Sequence, residues 1–167
     1  MSEAKYGEEF IKHELDEAIA FQQTIVDAER ELAGKHPFPA GRESIKACQK
    51  DDQAFLKRLQ QLGRPYGASG EVEEVVEAMK TLMSETLGSA DEAESEAYEA
   101  HAVLLTLKRK QQDSASAMLK IARAMKETEM GDAAREFERA QRDSSRSLAK
   151  SLADFAAKIA TQAPASA

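Results

Sequence analysis

The chain has 167 residues, of which 32% are charged and 42% hydrophobic, with no Trp, 4 Pro and one Cys. That length suits one domain with a single core, and the composition is that of a soluble, helix-rich protein. The net charge of −7 argues against general affinity for nucleic acid or an anionic membrane surface, and one Cys excludes an intramolecular disulfide and a Cys-based zinc site.

The start of the chain, Met1 to Glu9, is acidic and has no apolar stretch, unlike a signal peptide. No apolar run is long enough to cross a bilayer. The expectation is a cytoplasmic protein, with 1–162 as one helical domain and 163–167 as a frayed tail.

Apolar spacing predicts a first helix over 8–34, with the stripe Ile11, Leu15, Ala18, Gln22, Ile25, Glu29 and Leu32. His36-Pro37-Phe38-Pro39-Ala40-Gly41 breaks it. A second helix over 42–62 carries Ile45, Cys48, Asp52, Phe55, Leu59 and Leu62 at steps of three and four. Gly63 is placed to cap it, with Pro65 beyond. After the loop 63–70, a shorter helix over 71–87 presents Val72, Val75, Val76, Met79, Leu82, Met83 and Leu87. Gly88 closes it, and Ser89-Ala90-Asp91-Glu92 reads as a capping box opening a third long helix.

That helix meets no strong breaker before Gly131, with a polar stretch at Gln111–Ser116 that could bend it. Its stripe is Ala97, Ala100, Leu104, Leu107, Gln111, Ser114, Met118, Ile121 and Met125. Gly131-Asp132 reads as a stop followed by an N-cap. The last helix, over 132–161, uses Ala134, Phe137, Gln141, Ser144, Leu148, Ser151, Phe155 and Ile159. The fold class is all-α, with four long helices and a crossover helix between the second and third.

Each long stripe is broken by a polar residue at a core position. Asp52 is the clearest, because a buried carboxylate costs stability unless something pairs with it. If the first two helices form an antiparallel hairpin about Pro37–Pro39, equal distances from the turn set Gln22 opposite Asp52 or its neighbour. His101 shares a flank of the third long helix with Ala97, Tyr98, Leu104 and Leu105, with Glu94 two turns back. His13 and Glu17, at i and i+4, read as a surface charge pair. Cys48 reads as packing, and Met79, Met83, Met118 and Met125 as core fillers.

A short first turn, a long middle connection and a short last turn match the one-crossover layout of ferritin-like four-helix bundles. Three stretches resemble the YciF-like branch of that group: Ala78-Met79-Lys80-Thr81-Leu82-Met83-Ser84-Glu85, Tyr98-Glu99, and Leu152-Ala153-Asp154-Phe155-Ala156. The resemblance implies a homo-oligomer with a part in a stress response, and it matches Glu99 to the family's third-helix Glu. The Glu-x-x-His pair of a di-iron centre is missing. Phe10, Ala33 and Tyr98 stand three residues before His13, His36 and His101.

Three readings follow. The first is a non-catalytic ferritin-like protein without a complete di-iron motif, acting through protein or oligomer surfaces. The second is an oxidoreductase holding iron or manganese at a carboxylate-rich site, with Glu14, Asp52, Glu99, His101 and Asp143 as ligands. The third is an adaptor whose basic stripe, Arg135, Arg139, Arg142 and Arg146, receives an acidic protein partner. None of them calls for a specific nucleic acid or a membrane.

Overall fold

The computed structural model describes residues 3–162; the expected tail at 163–167 lies outside them. Five helices follow one another: α1 (Glu3–Lys35), α2 (Pro39–Gly63), α3 (Glu74–Ser89), α4 (Glu94–Met125) and α5 (Thr128–Ala160). A single 3-10 turn, Arg64–Tyr66, follows α2. No strand occurs among the described residues.

The four long helices are neighbours in a ring, α1 beside α2, α2 beside α5, α5 beside α4 and α4 beside α1, while α3 lies against α1 and α4. Cross-helix bonds fix the directions. Gln22 reaches Asp52 across the first hairpin. His101, early in α4, meets His36, and Gln111, farther on, meets Ala18. So α1 and α4 run oppositely, and α2 and α4 run the same way. The third helix makes this possible by carrying the chain back along α1. The loop before it hangs on Asp16, whose Oδ1 accepts from the amides of Ser69 and Gly70 at 2.7 and 2.8 Å. Its far end meets Lys35, which donates to the Leu87 carbonyl at 2.9 Å.

The apolar core lies in two bodies along the ring. One gathers Ile11, Leu15, Leu59, Met118 and Phe137 near the Met125–Thr128 turn. The other gathers Phe21, Ile25, Ile45, Leu104 and Leu148 toward the Lys35–Pro39 turn. All seven positions of the first stripe are buried. The polar stretch 111–116 does not interrupt α4, which is continuous from Glu94 to Met125. Gln111 and Ser114 are instead part of the core.

The helix ends differ from expectation. The second helix starts three residues early, at Pro39, because proline fits a first helical turn, where its missing N–H leaves no bond unmade. Gly63 does not cap it. That residue is helical and buried, and a Cβ there would stand 3.1 Å from both the Ala68 Cβ and the Ile19 Cδ1. The left-handed residue is Gly67, at φ 70°. The capping box does not form either. Ser89 ends α3, α4 opens after Ala93 without a side-chain cap, and the Ser89 hydroxyl donates to Glu96. Nor does Gly131 end a helix. The break comes at Lys126, which takes a left-handed φ of 62° that sequence seldom announces in a lysine. The Glu127 amide then closes back on the Ala122 carbonyl at 2.9 Å, and Gly131 lies inside α5.

Gly41 carries a sharper constraint. A Cβ there would fall 2.5 Å from His36 Cε1, and the His36 ring is fixed on both sides by hydrogen bonds. We expect Gly41→Ala to lose about 1–3 kcal/mol through overpacking, read from urea unfolding midpoints at constant m-value.

Candidate functional site

Asp52 sits at the centre of a buried polar layer to which all four long helices contribute. Its Oδ1 accepts from Gln22 Nε2 at 2.8 Å and from Gln141 Nε2. Its Oδ2 accepts from the ammonium of Lys108. The same ammonium donates to Glu29 Oε1 at 2.9 Å, and that oxygen also accepts from Cys48 Sγ at 3.2 Å. Gln111 Nε2 extends the layer by donating to Gln22 Oε1 at 3.0 Å and to the Ala18 carbonyl at 2.9 Å. Lys108 and Glu29 are both fully buried, and Asp52 is 2% exposed.

A charge removed from water needs a partner and further hydrogen bonds. Lys108 has two carboxylates, and these outweigh its surroundings. Burial alone would pull the ammonium down, but Asp52 and Glu29 hold it above its ordinary value. Glu29 goes the other way for a carboxyl. Burial, opposed by Lys108 but helped by the neighbouring Asp52, raises it to about 8. Its Oε2 has no hydrogen-bond partner. Burial also pushes the Cys48 thiol far up, so it stays protonated and poorly nucleophilic.

A second buried layer lies nearer the Lys35–Pro39 turn. His36 Nε2 and His101 Nδ1 are 3.1 Å apart. His101 Nε2 is 3.1 Å from the Leu148 carbonyl, and His36 Nδ1 is 3.1 Å from the Phe38 amide. The outer partners fix the protons. A carbonyl only accepts, so His101 Nε2 carries its hydrogen and Nδ1 accepts. The Phe38 amide only donates, so His36 Nδ1 accepts and Nε2–H points at His101. Both rings are therefore neutral, and all four ring nitrogens are used. Burial lowers each imidazole to about 4, helped at His36 by His101 and Arg42.

The five residues expected to ligate a metal are not brought together. Only Asp52 and His101 are buried, and they belong to different layers. Glu14 is half-buried on α1, while Glu99 and Asp143 are exposed. Among the described residues, one set of potential ligands lies within 4.8 Å of one another: Glu29, Cys48 and Asp52. Sequence reading placed Glu29 on the core stripe without assigning it a role, and it missed Lys108. The signal for Lys108 was available. Ala97, His101, Leu104, Lys108, Gln111, Ala115, Met118 and Ala122 step by threes and fours, and all are buried.

The basic stripe of α5 is not one surface. Arg139 lines a cleft against α2, whereas Arg142 and Arg146 border a hollow shared with Arg109 of α4. Arg135 and Arg142 pair within their own helix, with Asp132 at 3.1 Å and Glu138 at 3.4 Å. Glu17 lies 3.5 Å from the Lys110 ammonium rather than making an ion pair with His13.

The sequence matches no family model, and neither curated proteins nor solved structures show a detectable match to it. No helix among the described residues is long and apolar enough to cross a membrane.

Proposed function

We propose that this chain is a metal-independent helical bundle of ferritin-like layout that works through its surfaces rather than as a carboxylate-bridged oxidoreductase. The directions of the helices, with one crossover through α3, support the layout. The observation that carries the functional reading is the Lys108 ammonium seated on both Glu29 and Asp52. A divalent ion at Glu29, Cys48 and Asp52 would have to displace a fully buried cation and ionise a thiol that burial keeps protonated. The polar layer then fixes which helix faces meet, a use for which buried polar groups are best attested.

The test is metal content after purification without chelator, with melting measured in added iron(II) and manganese(II). The expected result is substoichiometric metal and an unchanged melting temperature, since a ligand that prefers the folded state must raise it. About two equivalents of iron or manganese, lost in Asp52→Ala, would replace this reading with that of a metal-dependent oxidoreductase.

A further inference from the structure

The turn between α1 and α2 meets α4 and α5 through two aromatic rings, His36 and Phe38. His36 Nε2 lies 3.1 Å from His101 Nδ1, and the His36 ring stands 4.9 Å from that of Phe155. Phe38 stacks on the same Phe155 ring, with centroids 5.3 Å apart and planes 7° from parallel. Phe155 is fully buried. The next polar tie inward joins the Ser44 and Ser151 hydroxyls at 2.7 Å. Residues 36–41 are therefore an end piece whose hydrogen bond to α4 is the histidine pair.

This link has no place for an added proton. Its donors point one way: the Phe38 N–H to His36 Nδ1, His36 Nε2–H to His101 Nδ1, and His101 Nε2–H to the Leu148 carbonyl. A proton on His36 would face the Phe38 N–H, and one on His101 would face the His36 N–H. The His36 ring has no room to turn aside, because it lies so close to Gly41 that a Cβ there would be 2.5 Å from its Cε1. The charges around the pair give no relief. Arg42 of α2 donates to the His36 carbonyl, and Lys35 of α1 is held by Glu31 and the Leu87 carbonyl. Glu94 of α4 is bound by Lys158 of α5, and Tyr98 of α4 reaches the cluster through Phe155. Among the described residues no carboxylate pairs with either ring. The neighbouring layer answers acid differently. There Glu29 favours its protonated form, so acidification retains its contribution. That layer joins all four long helices through Gln22, Asp52, Lys108 and Gln141.

We propose that His36 and His101 are an acid-released latch: a proton on either ring drives residues 36–41 off α4 and α5 and uncovers Phe155, while the Lys108 layer keeps the four helices assembled. The opening is local and precedes loss of the fold. Nuclear magnetic resonance of the full chain tests it between about pH 7 and about pH 5, with amide exchange corrected for its intrinsic pH dependence. On acidification the Phe38 and Arg42 amides should exchange faster by about tenfold or more, and the Overhauser contacts between the Phe38 and Phe155 rings should vanish. Amides from Leu104 to Gln111 should keep their protection. The ring C–H signals of His36 and His101 should shift over the same pH span. His13→Gln, which changes the third histidine, should behave as the parent, whereas His36→Gln/His101→Gln should show no acid-dependent step. Three results would overturn the proposal: unchanged exchange and ring contacts in the parent, loss of protection throughout the chain at the same pH, or the same acid step in the double variant. The first two are read on the parent, so they decide the matter even where the double variant folds poorly.

Discussion

Replacing Lys108 by Met should destabilise the protein by about 3–5 kcal/mol, because it removes the cation of a buried pair and leaves the Asp52 carboxylate without compensation. Among the described residues the ammonium is the one cation bonded to Glu29 and Asp52, and both carboxylates are buried, at 0% and 2% exposed. Methionine fills similar space, so the loss will not reflect a cavity. The companion variant separates the two effects. In Lys108→Met/Asp52→Leu/Glu29→Leu the charges leave together, and stability should recover most of the loss or exceed the parent, because the desolvation cost also disappears. Gln141 would then lack its acceptor, while the Gln22 amide keeps the backbone carbonyl of position 52, 3.0 Å away, which limits the gain by roughly 1–3 kcal/mol for the one amide left unsatisfied. Chemical denaturation of the two variants decides the matter. A single variant as stable as the parent would mean that the buried ion pair does not hold these helices together.

Glu29 gives the same layer a pH signature. Its folded value of about 8 exceeds the ordinary 4.5, so the folded state binds the proton more tightly. Stability from this group is full below about 4.5 and is lost as pH rises to about 8. Glu29→Gln should flatten that slope.

Acid should act oppositely on the histidine layer, and the pH profile should show both arms. His36 and His101 each titrate near 4 when folded, against 6.5 ordinarily. The unfolded chain therefore binds protons that the native rings refuse, and stability is lost as pH falls from about 6.5 to about 4. The geometry gives the reason. Every ring nitrogen already has its partner, so an added proton would face either the Phe38 N–H or the neighbouring ring's N–H. The charged groups nearby do not relieve this. Arg42 donates to the His36 carbonyl at 2.9 Å and adds positive charge, and Lys158 is engaged by Glu94.

A shift of this size sets an upper limit on the order of 3 kcal/mol per ring. The two rings share a hydrogen bond, so their contributions do not add, and we expect roughly 2–4 kcal/mol for the pair. The check is urea unfolding at pH 4 to 7 for the parent and for His36→Gln/His101→Gln. The double variant should be less stable at pH 7 but should lose far less on acidification. Equal acid slopes would place the acid sensitivity elsewhere.

Local pattern carried much of this protein. Steps of three and four placed Gln22 and Glu29 on one buried stripe and Asp52 on another, and symmetry about the Pro37–Pro39 turn set Gln22 opposite Asp52 or its neighbour. These are properties of one helix or one hairpin, where chain geometry fixes the distances. Helix ends were less legible, because Gly63 answers to close packing against Ala68 and Ile19, Gly131 lies inside α5, and Lys126 supplies a left-handed turn that composition does not mark. The histidine pair was hidden for a related reason. His36 stands in a breaker sequence, and only the fold brings it to His101, 65 positions later.

By itself, then, the sequence determined an all-α chain whose core faces include polar residues, since helical period and hydrophobicity are written position by position. The tertiary structure alone decided what those residues do. Whether a buried carboxylate awaits a metal or already holds a cation depends on what three other helices place within about 3 Å. Here they place the Lys108 ammonium on Asp52 and Glu29.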